Sequence, residues 1–439
     1  MTCDRYTNTH FPEQRVLILG AGFAGLGAAR GLQERGVQTL TLERERDTGG
    51  LACTDRVGDF LFDRAGHFVH CRTRQFADVI RDSGIAFDEI ARRSAVMLDT
   101  CVVPYPLQFN LWAASAEFRE AVAAEIEDLP TEVDTHSGFN RLAREAWGDT
   151  LTKAFFEPYL EKVWSCDSSR LPAEWASRFI PQRDLEMIRR GMRHETRGYG
   201  YNATFLYPSS GRLGDLADVL AAPLNGSLRM ETEVVSIDLD AHRVRCANGT
   251  TADYEVLVNT LPLDRFLALC GRELPDGLFR QAALLNLRVG FSGRVLRAEH
   301  WCYVPDVNVD FFRVGFPCNV NRRTCPPGRC SVSLEFGNAA ESGIRDYARL
   351  ATDALDYLAA RDFLEYTAIE CIDAQVIAPA YVANRMETDA RLQSIASALR
   401  AEDVILAGRF GTWEYLSLED AYLSGTEAAS TAMAMMAHR

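Results

Sequence analysis

The strongest pattern in the chain is an apolar run, Val16–Leu19, that ends in a glycine-rich turn, Gly20–Gly25. Small residues at helical spacing follow the turn, and a second apolar run, Val37–Leu42, ends at the acidic residue Glu43. An apolar run of this length bounded by glycine is typical of a buried strand. The order therefore predicts a strand, a tight turn, a helix and a second strand.

Each glycine of the turn has its own task in a dinucleotide-binding unit. Gly20 lets the chain turn, Gly22 lets a diphosphate approach the backbone, and Gly25 lets the helix pack on the strand. The helix N-terminus then holds the pyrophosphate, and Glu43, about 20 residues on, binds ribose hydroxyls. The alternative is a glycine turn that binds no ligand. The flanking strand, the helix of small residues and the acidic residue Glu43 all favour a bound ligand instead. We predict a Rossmann-type dinucleotide-binding domain.

Helical spacing returns between Leu111 and about Arg193, where apolar residues recur every three or four positions. This region is predicted to be a helical insertion. In the second half of the chain, apolar and polar residues alternate, which is typical of strands. The runs that we interpret as strands are Val234–Ile237, Val244–Cys246, Tyr254–Thr260, Phe311–Val314 and Ser331–Phe336.

The last part of the chain combines a strand, a turn and a long helix. A run beginning at Val404 predicts a strand that ends in a glycine–arginine turn, which contains Gly408 and Arg409. The sequence Ser417–Asp420 has the form of a capping box, and helical spacing continues through Ala434. A helix N-terminus is therefore predicted close to Ser417.

Composition and charge limit the partners. The chain has 439 residues with a net charge of −14 and no basic stretch, which argues against a nucleic-acid partner. Twelve cysteines occur without a C-x-x-C pair, and the cluster Cys318, Cys325 and Cys330 lacks metal-ligand spacing, so we expect reduced thiols and no metal. Residues 1–14 have no apolar core, and no run reaches the ~20 apolar residues of a membrane helix. We expect a cytoplasmic protein without a membrane partner.

The segment after Glu43 contains a second glycine pair, Gly49-Gly50, and then the sequence Asp63 to His67. Together with the first glycine turn, this combination resembles the N-terminal signature of the amine-oxidase-like flavoproteins. The resemblance implies FAD as the cofactor. His67 has two interpretations, because histidines beside a strand are more often packing residues, whereas the resemblance favours contact with the flavin. The implied cofactor-binding residues are Gly20, Gly22, Phe23, Ala24, Gly25, Glu43, Arg44, Gly49, Gly50, Leu51, His67, Val234, Gly408, Arg409, Tyr415, Leu416 and Ser417.

Within these flavoproteins the chain is similar to the UDP-galactopyranose mutase family along most of its length. The segment Gly408–Leu416 is similar to the family's Gly-Arg-x-Gly-Thr-Tyr-x-Tyr-Leu, and Phe312-Arg313-Val314 looks like its phosphate-contacting segment. The resemblance implies catalytic roles for His67, Arg313 and Arg409. On spacing alone, Phe155 and Tyr159 favour a core position over a stacking platform for a base. The substrate-binding residues that the resemblance implies are Phe155, Tyr159, Trp164, Arg178, Arg313, Tyr381, Arg409 and Tyr415.

The resemblance implies a fold and a reaction. The expected fold is α/β, with FAD-binding parts at residues 1–100, 201–265 and 386–439, a helical insertion at 101–200 and an antiparallel-sheet substrate domain at 266–385. The implied reaction interconverts the pyranose and furanose rings of a nucleotide-diphosphate sugar. In that family N5 of reduced FAD attacks the anomeric carbon without net redox, and NAD(P)H is one candidate reductant. A homodimer is left open.

Several alternatives stay open at this point. An FAD-dependent amine oxidase or desaturase shares the N-terminal half of the signals, and a non-catalytic flavin-binding protein is a further alternative. Departures from the mutase family include Val382 after Tyr381, and Arg212 in place of a glycine. Spacing does not choose the mobile-loop arginine of that family among Arg183, Arg189, Arg190, Arg193 and Arg197.

Overall fold

The computed structural model describes residues 10–134, 138–171, 183–195, 203–224, 226–275, 277–337, 346–383 and 386–438. Its strands are β1 (Gln14–Leu19), β2 (Thr39–Leu42), β3 (Thr54–Val57), β4 (Phe60–Asp63), β5 (Phe87–Ala91), β6 (Ser94–Met97), β7 (Val102–Pro104), β8 (Thr204–Pro208), β9 (Leu228–Arg229), β10 (Val234–Asp238), β11 (Arg243–Cys246), β12 (Thr251–Asn259), β13 (Arg280–Val295), β14 (Trp301–Tyr303), β15 (Phe311–Gly315), β16 (Arg329–Gly337), β17 (Leu364–Ala383) and β18 (Val404–Leu406).

The helices complete a mixed α/β architecture. They are α1 (Phe23–Gln33), α2 (Arg74–Asp82), α3 (Ala116–Ile126), α4 (Phe139–Leu151), α5 (Glu157–Trp164), α6 (Leu185–Met192), α7 (Gly214–Ala221), α8 (Leu263–Leu269), α9 (Pro317–Val320), α10 (Tyr347–Ala359), α11 (Met386–Ala401), α12 (Gly408–Gly411) and α13 (Leu418–Ala437). Within the ranges given above, no helix has both the length and the apolarity needed to cross a membrane.

The first sheet is the predicted Rossmann-type sheet. Its order is β10-β11-β12-β1-β2-β9, and β18 also pairs with β12. The strands β9, β2, β1, β12 and β18 run parallel, and β10 and β11 form an antiparallel extension. The central strand β1 is buried on both faces, as its continuous apolar run predicts. The strand β2 begins at Thr39 rather than Val37, because the Val37 amide still bonds to the Leu32 carbonyl and closes α1.

The packing of α1 explains its small residues. The helix packs mainly on α13, and it also contacts β1 and β2 of the first sheet. A methyl group added to Gly25 would overlap the Gly20 carbonyl, and one added to Gly27 would overlap the Tyr422 carbonyl of α13. On the facing helix, Gly425 leaves the same kind of space for the Ala24 carbonyl. Close approach of the backbones therefore requires glycine at these positions.

The second sheet has the order β17-β13-β16-β15-β14-β6-β7 and is antiparallel except for the β14–β6 pair. One face is apolar and packs against α10 around residues such as Leu334 and Leu355. The other face carries polar residues and looks toward the first sheet. The strands β6 and β7 pair with each other in this sheet. A domain boundary at residue 100 would separate them, so we place the proposed boundary before β6.

The helical insertion lies beside the second sheet. Its helices α3 to α6 share a core with the segment after β7. The chain between α4 and α5 is a π-helical turn, Thr152–Phe156, and α4 bends at Gly148, where φ is +87°. The helix α13 extends to Ala437, three residues past the predicted end, and its capping box is formed by Ser417 and Asp420.

Candidate functional site

A cavity of about 510 Å³ lies at the carboxyl ends of β1 and β2. In open parallel sheets this edge is where ligands bind, and the volume falls in the usual range for a ligand site. The segments of the second sheet that reach it come from β13 and β17. Predicted cofactor residues that line it are Gly20, Gly22, Phe23, Ala24, Glu43, Arg44, Gly49, Gly50, Leu51, His67, Val234, Gly408, Arg409, Leu416 and Ser417.

The glycine turn provides an open cradle at the N-terminus of α1. Gly20 has φ +97°, a conformation that favours glycine, and a Cβ on Gly22 would have no atom within 4 Å. The first intrahelical hydrogen bond runs from Leu26 N to Gly22 O at 2.9 Å. The amide groups of the first helical turn are therefore free of intrahelical partners and are available to a phosphate. Gly25 does not line the cavity and serves the packing of α1.

Glu43 closes the far end of β2 with a fixed carboxylate. Its Oε2 accepts a hydrogen bond from Ala21 N at 2.7 Å, and its Oε1 accepts one from Glu45 N at 2.9 Å. Each oxygen keeps a further lone pair, which can accept from a ribose hydroxyl. Arg44, which follows on the chain, pairs with Glu45 at 3.1 Å. The two backbone bonds hold the carboxylate at the cavity wall.

The second glycine pair sits against the first. Gly49 forms a bridge with Gly22, and its amide donates to Ala21 O at 2.9 Å. Gly49 and Gly50 have φ of +97° and +62°. The second glycine pair therefore turns the chain back over the glycine cradle of α1. Leu51, which follows the pair, lines the cavity.

The C-terminal turn completes the cavity wall. Arg409 donates from Nε and Nη2 to the Leu416 carbonyl at 2.9 and 2.6 Å, and its Cζ lies 4.6 Å from the centre of the Tyr415 ring. Gly408 has φ +78°, and a Cβ there would lie 2.6 Å from the Ala24 side chain. Tyr415 does not line the cavity itself and packs on the guanidinium. After this turn, Ser417 and the N-terminus of α13 lie at the cavity.

Two arginines from distant parts of the chain, Arg313 on β15 and Arg409 on α12, act on His67. Burial, followed by the positive charges of Arg409 and Arg313, lowers the pKa of His67 to about 3. The ring is therefore neutral near pH 7. Tyr381 interacts electrostatically with both arginines, and burial is the main reason that the pKa of its phenol is raised. The structure thus brings together four of the predicted residues that lie far apart in the sequence.

Arg313 is held by a residue that the sequence did not single out. It forms an ion pair with Glu335 on the neighbouring strand β16, and the Glu335 side chain is only 3% exposed. Burial alone would lower the pKa of Arg313, but the Glu335 carboxylate raises it well above the ordinary value. The guanidinium is therefore charged in the interior of the protein.

The predicted aromatic residues divide between core and site. Phe155 is 3% exposed and belongs to the core of the helical insertion, while its ring centroid lies 5.4 Å from that of Tyr159. Tyr159 contacts Phe312 at 5.8 Å and interacts with Arg313. Trp164, Tyr381 and Leu51 pack around the same small cluster as Tyr159. Arg178 lies outside the described residues, as does Arg197.

Sequence reasoning missed the polar row across the second sheet. Glu335 lies opposite Arg313 on one side and Asn286 on the other, and Gln375 continues the row on β17. A signal was present, because Ser331–Phe336 alternates strictly between polar and apolar residues, so one face of a buried strand had to be polar. The pairing that gives this face its neighbours is set by the tertiary structure.

The sequence profile of the flavin-containing amine oxidoreductases matches residues 23–293. The chain therefore belongs to this family, and its cofactor is FAD. The residues fit such a group: the glycine cradle leaves open space at a helix N-terminus, Glu43 offers acceptors, and the cavity extends to His67 and Arg409.

Individual relatives cover different parts of the chain. Polyamine oxidase 2 of Arabidopsis thaliana is 31% identical over 94 residues, which are 21% of this chain and 19% of that protein. The chain thus matches about a fifth of this curated relative. Among solved structures, reduced UDP-galactopyranose mutase has a TM-score of 0.88 at 24% identity, covering 97% of this chain and 95% of the other. Putrescine oxidase with bound putrescine has a TM-score of 0.64 at 12% identity and also covers 97% of this chain. These likenesses establish the fold.

Proposed function

We propose that the protein is a reduced-FAD-dependent mutase that interconverts the pyranose and furanose forms of a nucleotide-diphosphate sugar. The observation that carries this proposal is the convergence of Arg313 and Arg409 beside His67. Both arginines are positively charged side chains in an otherwise acidic protein. The activity would make the protein an isomerase of the intramolecular transferase class.

The charges favour an anionic substrate over the alternatives. A nucleotide diphosphate carries about two negative charges, and a guanidinium binds phosphate oxygens with paired donors. An amine substrate would bring a further cation to a place where two guanidinium groups already depress the pKa of His67. An apolar substrate would leave both guanidinium groups without an anionic partner from the substrate. The diphosphate is the ligand that these charges complement.

The roles of the side chains follow from their positions. Arg313 and Arg409 would bind the diphosphate in its bound and departing forms, and Tyr381 and Tyr415 would add hydroxyl donors beside them. Tyr159 and Trp164 would offer ring faces to the nucleobase or the sugar. The flavin, when bound and reduced, supplies the nucleophile for the anomeric carbon. The protein then has to bind, orient and stabilise charge.

The identity of the sugar is a narrower proposal. The solved mutase that resembles this fold is described as UDP-galactopyranose mutase, so UDP-galactose is the first substrate to test. We also propose that a reductant such as NAD(P)H primes the flavin. A cytoplasmic location and a homodimer are compatible with these proposals and await direct measurement.

Because the chain belongs to the amine oxidoreductase family, the competing function is that of an oxidase or desaturase. The test compares the purified holoenzyme in its oxidised form with the same enzyme reduced by dithionite under anaerobic conditions. Each form is incubated with UDP-galactopyranose and UDP-galactofuranose, and the ring forms are quantified by NMR. We expect interconversion by the reduced enzyme alone. Oxygen consumption with an amine, porphyrinogen or isoprenoid substrate, without ring interconversion, would establish the competing function.

A further inference from the structure

A second, smaller cavity shares His67 with the cofactor cavity. Its volume is about 60 Å³, and its wall includes Gly66, Trp301, Gly315 and Glu335. His67 is the one residue, among those that the structure describes, that lines both cavities. We call the smaller one the rear chamber. It is separate from the cofactor cavity, although Arg313, to which we assign the substrate diphosphate, also lines it.

The rear chamber is surrounded by buried polar atoms that have no hydrogen-bond partner. Four such atoms belong to residues that line it: His67 Nδ1, His300 Nε2, Trp301 Nε1 and Glu335 Oε2. His300 and Glu335 are 1% and 2% exposed. An unpaired polar group in the interior has lost its hydrogen bonds to water without replacing them, so four around one small space require an explanation.

The protonation of His300 can be assigned from its other nitrogen. His300 Nδ1 accepts a hydrogen bond from the Arg93 amide at 3.1 Å, so in the neutral ring the proton sits on Nε2. Burial lowers the pKa of His300 to about 4, which keeps the ring neutral near pH 7. His300 Nε2 is therefore a donor without an acceptor.

The four atoms form a complementary set. His300 Nε2 and the Trp301 indole can only donate, whereas the second oxygen of the Glu335 carboxylate can only accept. Direct bonds between them are absent in the described residues. A water molecule both donates and accepts, and a cavity of about 60 Å³ is large enough to hold water.

We propose that the rear chamber is a built water site in which ordered water connects the Glu335 carboxylate with the His67 ring. The waters accept from His300 and Trp301 and donate to Glu335, and one of them is hydrogen-bonded to His67 Nδ1. The ion pair of Glu335 with Arg313 and the imidazole at the cofactor cavity then belong to one hydrogen-bonded unit. Glu335 acts in this unit as a positioning residue, because it reaches the cofactor cavity through water and His67. The inference holds whether the enzyme is a mutase or an oxidase.

Replacing Gly315 tests whether water occupies the rear chamber, because the change in Tm has opposite signs for a dry and a hydrated chamber. It lies on the same strand face as Arg313, its φ is not in the left-handed region, and an added Cβ would meet no atom closer than 3.8 Å. In a dry cavity, Gly315→Ala fills empty space and also restricts the unfolded chain, so it raises Tm. In a hydrated chamber the methyl group displaces water and leaves polar atoms unpaired, so Tm falls.

We expect the FAD-loaded Gly315→Ala holoenzyme to have a lower Tm than wild type, and Gly315→Val a still lower one. Thr367→Val, on an exposed part of β17, serves as the control for a substitution within this sheet. Xenon pressurisation of crystals gives an independent result, since dry apolar cavities bind xenon. A rise in Tm for Gly315→Ala, or xenon in the chamber, would overturn the proposal.

The link to His67 needs a readout other than stability. In ¹⁵N-histidine-labelled holoenzyme, assigned with the variant His67→Asn, we expect the His67 Nδ1 resonance to have the shift of a hydrogen-bonded nitrogen. Glu335→Gln should move this resonance, and Glu335→Asp should restore most of the wild-type shift. An unchanged His67 signal in Glu335→Gln, or a crystal structure of the holoenzyme with an empty chamber, would show that the water link does not exist.

Discussion

At the level of single residues, the site is governed by the balance of two guanidinium groups, one carboxylate and one neutral ring. Arg313 is compensated by Glu335, whereas Arg409 is anchored through a neutral carbonyl oxygen. The two arginines therefore present different net charges to an anion. His67, close to both, has its charged form strongly disfavoured. A bound diphosphate would restore the balance by adding negative charge.

The first prediction concerns the binding of a nucleoside diphosphate. A charge-assisted phosphate contact contributes about 1.5–3 kcal/mol, so Arg313→Ala or Arg409→Ala should weaken binding roughly ten- to hundredfold. Isothermal titration of the reduced holoenzyme with UDP measures this loss. Arg313 does not line the cofactor cavity, so its variant should keep a normal flavin content.

A matched set of variants separates charge from folding. Arg313→Ala leaves the Glu335 carboxylate buried and unpaired, which destabilises the protein by itself. The double variant Arg313→Ala/Glu335→Gln removes that charge and should regain stability without regaining affinity. Arg294→Ala, an exposed arginine on β13 that pairs with Glu365, should bind UDP as wild type does. Flavin loss as the sole effect would contradict the assignment of Arg313.

The second prediction concerns acid stability. Between pH 6.5, the ordinary pKa of histidine, and about 3, the unfolded chain protonates His67 while the folded protein does not. The folded state therefore loses stability as pH falls through this window, by up to about 1.4 kcal/mol per pH unit. Urea unfolding of the flavin-free protein should show a shallower acid loss for His67→Asn than for wild type.

Asp63 also makes stability depend on pH, so the effect of His67 has to be obtained by comparing the His67→Asn variant with wild type. Burial is the main cause that raises the pKa of Asp63 to about 6, so the folded state binds its proton more readily than the unfolded chain. Its contribution to stability is lost as pH rises, which is opposite in sign to that of His67. Asp63 is present in both wild type and His67→Asn, so subtracting one pH profile of stability from the other removes its contribution. His438→Asn, at the exposed end of α13, serves as the control for replacing a histidine away from His67.

At the level of elements, α13 and α1 form one packed unit because glycine and alanine occupy their interface. The N-terminus of α13 reaches the cofactor cavity, where Ser417 both caps the helix and lines the wall. The Asp420 carboxylate in turn accepts a hydrogen bond from the Ser417 amide at 3.0 Å. The cap thus links the stability of α13 to the shape of the cofactor site.

The third prediction separates these two effects of the cap. Ser417→Ala removes the oxygen that accepts from Asp420 N, and should cost about 1 kcal/mol in free energy of unfolding. Ser115 caps α3 in the same way, through Phe118 N at 3.1 Å, but lies away from the cofactor cavity. Ser115→Ala should cost a similar amount of stability. Only Ser417→Ala should also weaken FAD binding, as measured by flavin fluorescence titration, and equal FAD affinity in both variants would refute the link.

At the level of the whole molecule, the cofactor cavity lies between the two sheets. The first sheet contributes the glycine cradle and Glu43, and the second contributes Gln375 and the segment up to Pro379. A ligand that contacts both sheets stabilises the arrangement of both. The architecture therefore couples cofactor binding to global unfolding.

The fourth prediction is that FAD raises the Tm of the complete chain in a single transition. At a free concentration 100 times its Kd, FAD should add about 2.7 kcal/mol to the free energy of unfolding. Glu43→Gln removes the charge that accepts from two backbone amides, so it should show a smaller increase at the same FAD concentration. Calorimetry that resolves two transitions, of which FAD moves only one, would show that the sheets unfold independently.

The sequence by itself determined the features whose determinants are close along the chain. The strand, turn and helix from β1 to α1 follow from an apolar run and three spaced glycines, and the capping box of α13 is contained in four residues. These features depend on local sterics and periodicity, which a single sequence records. The family resemblance added candidate residues far apart in the chain, including Arg313 and Arg409.

The tertiary structure alone decided which distant groups meet. The register of β15 against β16 places Arg313 opposite Glu335, and a shift of one residue would have turned that carboxylate to the apolar face. The positions of β6 and β7 in the second sheet, and the rear chamber between His67 and Glu335, likewise arise from pairing between remote segments. Such pairings depend on the summed packing of many side chains, and no single segment of the sequence contains that information.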